Sequence, residues 1–343
     1  MATIKGWKYV LDDVISTKDI ISSGCSKTLE NFVPIFDADL YTKLVESGAI
    51  LLEKSTVSEF ATDNSYTSES ATKVKNEVAR FGIGNNVSGI VQLSADKENI
   101  IGYKPTYGLV SRSGIFAVAS TYDTVGIYAN SVSDAASVAN TIKGISLEDM
   151  TNWDSSDIDL VKDIETDIKD KKLFTIKELN DKKLGKGIAE ESIDQKLVDA
   201  ISIVHDTVMA AEMTTTLANL TGIPFGVKVD GLTADDITIN FRNLFSSYVK
   251  TKLIFGHMVL TKDYLDKYYY NMLRIRRVIF DKFNELFAKY DALVVPTSQT
   301  SVLLAVICGF PSVSIHNGIT IIGKQKSDAI VLNIANILDK EGV

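Results

Sequence analysis

Serine hydroxyls are among the side chains in this sequence that could act as nucleophiles. Ser88 stands beside Gly89 in the stretch Gly84-Asn85-Asn86-Val87-Ser88-Gly89-Ile90-Val91-Gln92, and Ser94 follows it. A serine hydroxyl is a weak nucleophile until a neighbouring base takes its proton. A serine next to a glycine is more often a turn residue, because both suit tight backbone bends. Ser65, Ser68 and Ser70 lie in the polar run between Phe60 and Phe81, which contains no glycine, and they read as surface hydroxyls. The two cysteines, Cys25 and Cys308, sit among apolar or small residues. They form neither a disulfide framework nor a zinc pattern and read as reduced structural thiols. No metal site and no cofactor is expected.

The elements that would position these groups can be read from periodicity. Asp37 is a plausible N-cap for a helix carrying Ala38, Leu40, Tyr41, Leu44 and Val45, which Gly48 ends. Ala49 to Leu52 then reads as a strand. Gly102 to Gly108 reads as a turn, since Pro105 bars a helix. A helix capped by Ser133 runs to Gly144. Two long helices are expected over about 195–220 and 263–290; the apolar and aromatic stripe of the second reads as core. Strands are expected at Leu173–Ile176, Ala292–Pro296 and Gly318–Gly323, and a last helix after Ser327. Alternating strands and helices argue for an α/β fold, a sheet covered by helices on both faces. No internal repeat or low-complexity segment is present.

The bulk numbers set limits. With 343 residues, 45% of them hydrophobic, the chain can bury a large core without staples. We expect a single domain over 1–343, with a charged, solvated connection at about 145–195. A net charge of −8 repels phosphate backbones and argues against direct nucleic-acid binding. Met1 to Trp7 shows no signal-peptide pattern, and the longest apolar run, Val302 to Phe310, is too short to span a bilayer. These features predict a cytoplasmic protein without membrane contact.

Longer stretches add a resemblance. The segment from Gly102 to Gly144, GYKPTYGLVSRSGIFAVASTYDTVGIYANSVSDAASVANTIKG, resembles G-x-K-P-T-Y-G-x-V-S-R-x-G and the A-S-S-x-D-x-x-G turn of the amidase-signature family. Ile15 to Val33, Ala49 to Phe60 (AILLEKSTVSEF), Phe255 to Thr297 and Gly318 to Lys324 (GITIIGK) resemble further family segments. Within the family the likeness is greatest to the A subunits of tRNA-dependent amidotransferases. It covers most of the chain and is weakest over 145–200. It implies the amidase-signature fold, a central mixed sheet with helices on both faces. It also implies B and C subunits as partners, through which any tRNA contact would run. The family's N-terminal helical extension has no counterpart here.

That family hydrolyses amides with a serine nucleophile, a bridging cis-serine and a neutral lysine, beside a Gly-rich loop whose N–H groups face the oxyanion. The resemblance sets its K-D-N-I-S-T against Asp12-Asp13-Val14-Ile15-Ser16-Thr17, so Asp12 takes the lysine's place. An ordinary aspartate, with a pKa of about 4, is a weak base; Asp12 reads as a loop carboxylate without a role. The nucleophile's place falls on Ile90, and Ser88 replaces a loop glycine. The cis-serine loop reads as deleted. Ser88 and Ser94 remain as weak candidate nucleophiles. In the substrate pocket a family arginine becomes Lys252, which keeps the charge but loses the bidentate fork, and a family aspartate falls on Gln299. Such groups act as a unit; losing the nucleophile alone costs about 10⁶ in turnover in a comparable serine enzyme. The sequence therefore predicts a non-catalytic relative with a binding or assembly role. The competing expectation is a glutamine-hydrolysing amidotransferase component, or another amidase, with a rearranged site.

Overall fold

Short β-branched runs alternating with amphipathic segments fold here into one continuous sheet. The computed structural model describes residues 4–180 and 187–342. The start of the Met1–Trp7 segment, and residues 181–186 of the charged connection, lie outside the described residues. The strands are β1 Lys8–Asp12, β2 Ile50–Ser55, β3 Phe81–Asn85, β4 Ile101–Lys104, β5 Val125–Ala129, β6 Leu173–Ile176, β7 Ile188–Glu191, β8 Ala292–Pro296, β9 Ser312–Ile315 and β10 Ile319–Gly323. The helices are α1 Asp39–Glu46, α2 Glu69–Lys75, α3 Ile90–Glu98, α4 Val132–Ile142, α5 Gln195–Thr216, α6 Ala234–Arg242, α7 Ser247–Leu260, α8 Asn271–Phe287, α9 Gln299–Cys308 and α10 Asp328–Glu341.

The strands lie in the order β2-β1-β3-β5-β4-β9-β10-β8-β6-β7. β1, β2 and β3 are parallel, as are β6, β7 and β8, while the strands between are joined by antiparallel pairs. Successive strand residues point to opposite faces. On β8, Ala292 and Val294 enter one core while Leu293 and Val295 enter the other. The first core takes Leu44 of α1, Val138 of α4 and Leu332 of α10. The second takes Met209 of α5, Val249 of α7, Phe283 of α8 and Leu304 of α9. The fold is α/β, a mixed sheet covered on both faces, as the sequence predicts.

Several local expectations are corrected. The expected turn at 102–108 begins as strand β4, and Pro105 ends the strand. Ser131, not Ser133, caps α4. Asp37 does not cap α1; its carboxylate accepts the Lys18 N–H at 2.6 Å, and Ala38 holds the N-cap position. The helix expected from 263 is broken: a π-helical turn, Leu265–Tyr270, precedes α8. The charged connection is not simply solvated. Leu160 and Ile164 are buried, and the Ile164 carbonyl accepts amide N–H groups from Asn333 at 3.2 Å and Asn336 at 2.9 Å on α10. Among the described residues no helix is long and apolar enough to cross a membrane.

Candidate functional site

In open α/β sheets the carboxyl ends of parallel strands face a crevice where ligands bind. Here the carboxyl ends of β1 and β3 meet the loops that lead into α2 and α3. Asp12 is the last residue of β1 and is fully buried. The expected loop carboxylate is therefore a strand residue, carried inward because β1 is flanked on both sides by β2 and β3.

Its partners are serines that the sequence places on the surface. The Ser68 hydroxyl donates to Asp12 Oδ1 at 2.8 Å and the Ser70 hydroxyl donates to the same oxygen at 2.6 Å. Both serines are buried, and only Ser65 of the three is exposed. The cause is α2, which folds back over β1 and β3 and brings its own cap inward. Ser68 is that N-cap, accepting the Ser70 N–H at 3.2 Å. The Ser68 N–H in turn donates to Ser94 Oγ on α3 at 3.0 Å. Asp12 Oδ2 is buried, with no hydrogen-bond partner among the described residues. Room for it comes from Gly84 on β3, where a Cβ would stand 2.1 Å from that oxygen. Burial pushes the Asp12 carboxyl up to about 7, with the Ser70 and Ser68 hydrogen bonds and the Lys54 charge opposing the rise.

Lys54 is a half-buried group beside this cluster. Its side chain is 10% exposed, its Nζ donates to the Ile15 carbonyl and to Ser22 Oγ at 3.1 Å, and it lies 3.8 Å from Asp13 Oδ1. Burial pulls it down to about 8, against the nearby Asp13 and Asp12. Its sequence signal is its place in AILLEKSTVSEF, visible only as part of the resemblance.

The loop between β3 and α3 is closed by its own side chains. Gly89 turns the chain at φ 77° and lies against Val302, whose Cγ2 would be 2.7 Å from an added Cβ. Ile90 opens α3 and is fully buried. The Ser88 hydroxyl donates to the Ala61 carbonyl at 2.8 Å. Asn86 Oδ1 accepts the Val91 N–H at 2.9 Å, so a side chain occupies one of the free donors at the start of α3. Asn86 Nδ2 donates to Gln92 Oε1 at 3.2 Å, and Gln92 Nε2 donates to Ser312 Oγ at 2.9 Å. Val87 offers its carbonyl to His205 Nε2 at 3.0 Å.

Lys252 on α7 is paired with Asp206 Oδ1 at 3.1 Å. Burial works against ionising Asp206, but the His205 hydrogen bond and the Lys252 charge hold its carboxyl below the usual range. Gln299 is the exposed first residue of α9, and no hydrogen bond or ion pair between described residues joins it to Lys252. The structure thus brings Asp12, Ser68, Ser70 and Ser94 together, and leaves Ser88, Lys252 and Gln299 in separate contacts. Cys25 and Cys308 are free thiols. Among the described residues no three metal-ligating side chains gather.

A buried carboxyl titrating near neutrality beside two hydroxyls has the elements of a proton acceptor. Yet Asp12, Ser68, Ser70, Ile90 and Ser94 are 0% exposed and Ser88 is 1% exposed, so these side chains are closed off from solvent, and of the charged groups beside them Lys54 keeps a small exposed fraction.

Residues 68–306 match the family model described as Amidase. The chain belongs to the amidase family. Among its relatives is the A subunit of glutamyl-tRNA(Gln) amidotransferase from Thermoanaerobacter pseudethanolicus, 29% identical over 97% of this chain and 82% of the relative. The crystal structure of the corresponding protein from Thermotoga maritima superposes with a TM-score of 0.78 at 23% identity, covering 98% of this chain and 84% of the other. Peptide amidase from Stenotrophomonas maltophilia gives a TM-score of 0.76 at 20% identity, over 98% and 83% of the two chains. These two likenesses concern the fold. Within this amidase-family chain the match begins at Ser68, the residue that links Asp12 to Ser94.

Proposed function

We propose that this amidase-family chain is a non-catalytic relative of the amidotransferase A subunits, with a binding or assembly role in the cytoplasm. The observation that carries the reading is the replacement and sealing of the catalytic positions. Ile90 stands where the resemblance sets the nucleophile and Asp12 where it sets the lysine, both fully buried. An amide carbonyl must come within about 3–3.5 Å of a nucleophile to react; Asp12, Ile90 and the serines around them have no surface to offer one. The partners that fit are amidotransferase B and C subunits, and a role in translation would follow from them.

Two measurements test it. Mixing the purified chain with B and C subunits of its own cell should give a stable complex on size exclusion. A fluorophosphonate probe should leave the chain unlabelled, and stoichiometric labelling would sink the proposal.

A second reading is favoured by one specific geometry, two serine hydroxyls on a carboxyl that titrates near neutrality. In that reading the chain is an amidase, or the glutamine-hydrolysing component of an amidotransferase, in which Asp12 activates Ser68 or Ser70 once α2 moves. It requires that activity rise as pH passes through about 7, where Asp12 ionises. It also requires that Ser70→Ala and Ser68→Ala, tested separately, include one variant without activity. Amide hydrolysis that survives both substitutions rules it out.

A further inference from the structure

Away from the buried cluster, α5, α6 and α7 enclose a groove of ≈ 470 Å³. Each helix contributes residues at helical spacing. The end of α5 and the turn after it supply Thr214, Leu217 and Ala218. α6 and its C-cap supply Ile239, Arg242 and Asn243. Phe245, together with Lys250, Leu253, Ile254 and His257 of α7 at i, i+3, i+4 and i+7, forms the remaining wall. Residues so spaced share one helix face. Ile254 is 73% exposed and Ile239 59% exposed, so the floor is apolar and open to solvent.

The rim is positive in a chain of net charge −8. Arg242 and Lys250 line the groove, and among the described residues no Asp or Glu does. Arg242 donates to the carbonyls of Ala218 at 2.8 Å and Leu220 at 3.2 Å, and Lys250 Nζ donates to the Asn243 carbonyl at 2.8 Å. These contacts tie down the turn that follows α5 and the C-cap of α6. They leave donors over on both cations, because a guanidinium has five N–H groups and an ammonium three. The acidic residues of α6, Asp235 and Asp236, sit in its first turn, at the other end from Arg242.

We infer that this groove docks an amphipathic helix of a partner protein, apolar along one stripe and carboxylate-rich on its flanks. Parallel apolar stripes suit a helix laid in a groove, with anchors at i, i+3, i+4 and i+7. The unshared donors at the rim select acidic flanks over basic ones. The groove serves the binding role proposed above, which supplies its purpose but not its geometry.

The test uses the intact chain and two synthetic helical peptides. Both carry leucine at i, i+3, i+4 and i+7; one has glutamate flanks and the other lysine flanks. Fluorescence anisotropy should show the glutamate peptide binding at least roughly tenfold tighter. Ile254→Asp, at a solvent-facing position, should abolish binding with an unchanged circular dichroism spectrum. Lys250→Glu should erase or invert the preference. Equal affinity for the two peptides, no binding of either, or binding unaffected by Ile254→Asp overturns the inference. Dodecanoate occupancy without peptide binding would assign the groove to an acyl anion, and self-association lost in Ile254→Asp would assign it to a second copy; either also overturns it. Peptide binding without a complex with B and C subunits would keep the groove and remove those subunits as its partners.

Discussion

Asp12 carries the sharpest residue-level consequence. Its carboxyl rises from an ordinary 3.8 to about 7 on folding, so the folded state holds a proton that the unfolded chain has released. Below about pH 4 both states hold that proton and the residue adds no pH dependence. Between roughly pH 4 and 7 the stability of the chain should fall as pH rises, and above that range the loss is complete. Asp12→Asn imitates the neutral carboxyl. It should flatten this slope and, at pH 8, raise the urea midpoint by the equivalent of a few kcal/mol relative to the parent. Gly84→Ala presses a methyl group against Asp12 Oδ2 and should cost about 2–3 kcal/mol in the same measurement. None of this was legible in the sequence. Ser68 and Ser70 stand far from Asp12 along the chain, in a polar stretch that reads as surface. Only the return of α2 over β1 makes them partners. The resemblance located Asp12 and Ile90 because it supplied positions that local pattern does not encode.

Among the elements, α5 and α7 cross where Gly256 lets the two backbones approach. A Cβ at Gly256 would stand 2.0 Å from the Ala210 carbonyl oxygen and 2.2 Å from Thr214 Oγ1. Both obstacles belong to α5, which is anchored in the second core through Val208, Met209 and Met213. Gly256→Ala should therefore destabilise the chain by about 2–3 kcal/mol, read as a lowered denaturation midpoint. The same crossing frames the groove, so the variant should also weaken peptide binding there. Strongly patterned elements were legible: β6 and β8 fall where their apolar runs predict, and α5 begins at the predicted residue. α6 and α7 were not drawn from the sequence. The face of α7 that lines the groove alternates apolar with basic residues, and its Gly256 reads as a breaker until the opposing helix is seen. β9 was hidden because Ser312 and Ser314 are buried polar residues; Ser314 is satisfied by Thr320 on β10, at 2.9 Å.

For the whole molecule, the two cores share one sheet, and strands such as β8 feed both. Helices on either face cannot detach without exposing the strand residues of their side. Differential scanning calorimetry should accordingly show one transition, with calorimetric and van't Hoff enthalpies in agreement. Two transitions would divide the chain into separately folding units and contradict the expected single domain. The ordering of strands also constrains how the chain is made. β4 lies between β5 and β9, with Gly102 opposite Ser314 and Lys104 opposite Ser312. A ribosome that has released the first hundred or so residues has therefore produced only one side of the sheet. The outer edge of β4 stays unpaired until nearly the last helix is synthesised, a long interval for an exposed strand edge. Chains cut short before β9 would emerge with that edge uncovered, and chaperone demand during synthesis should be set by this wait.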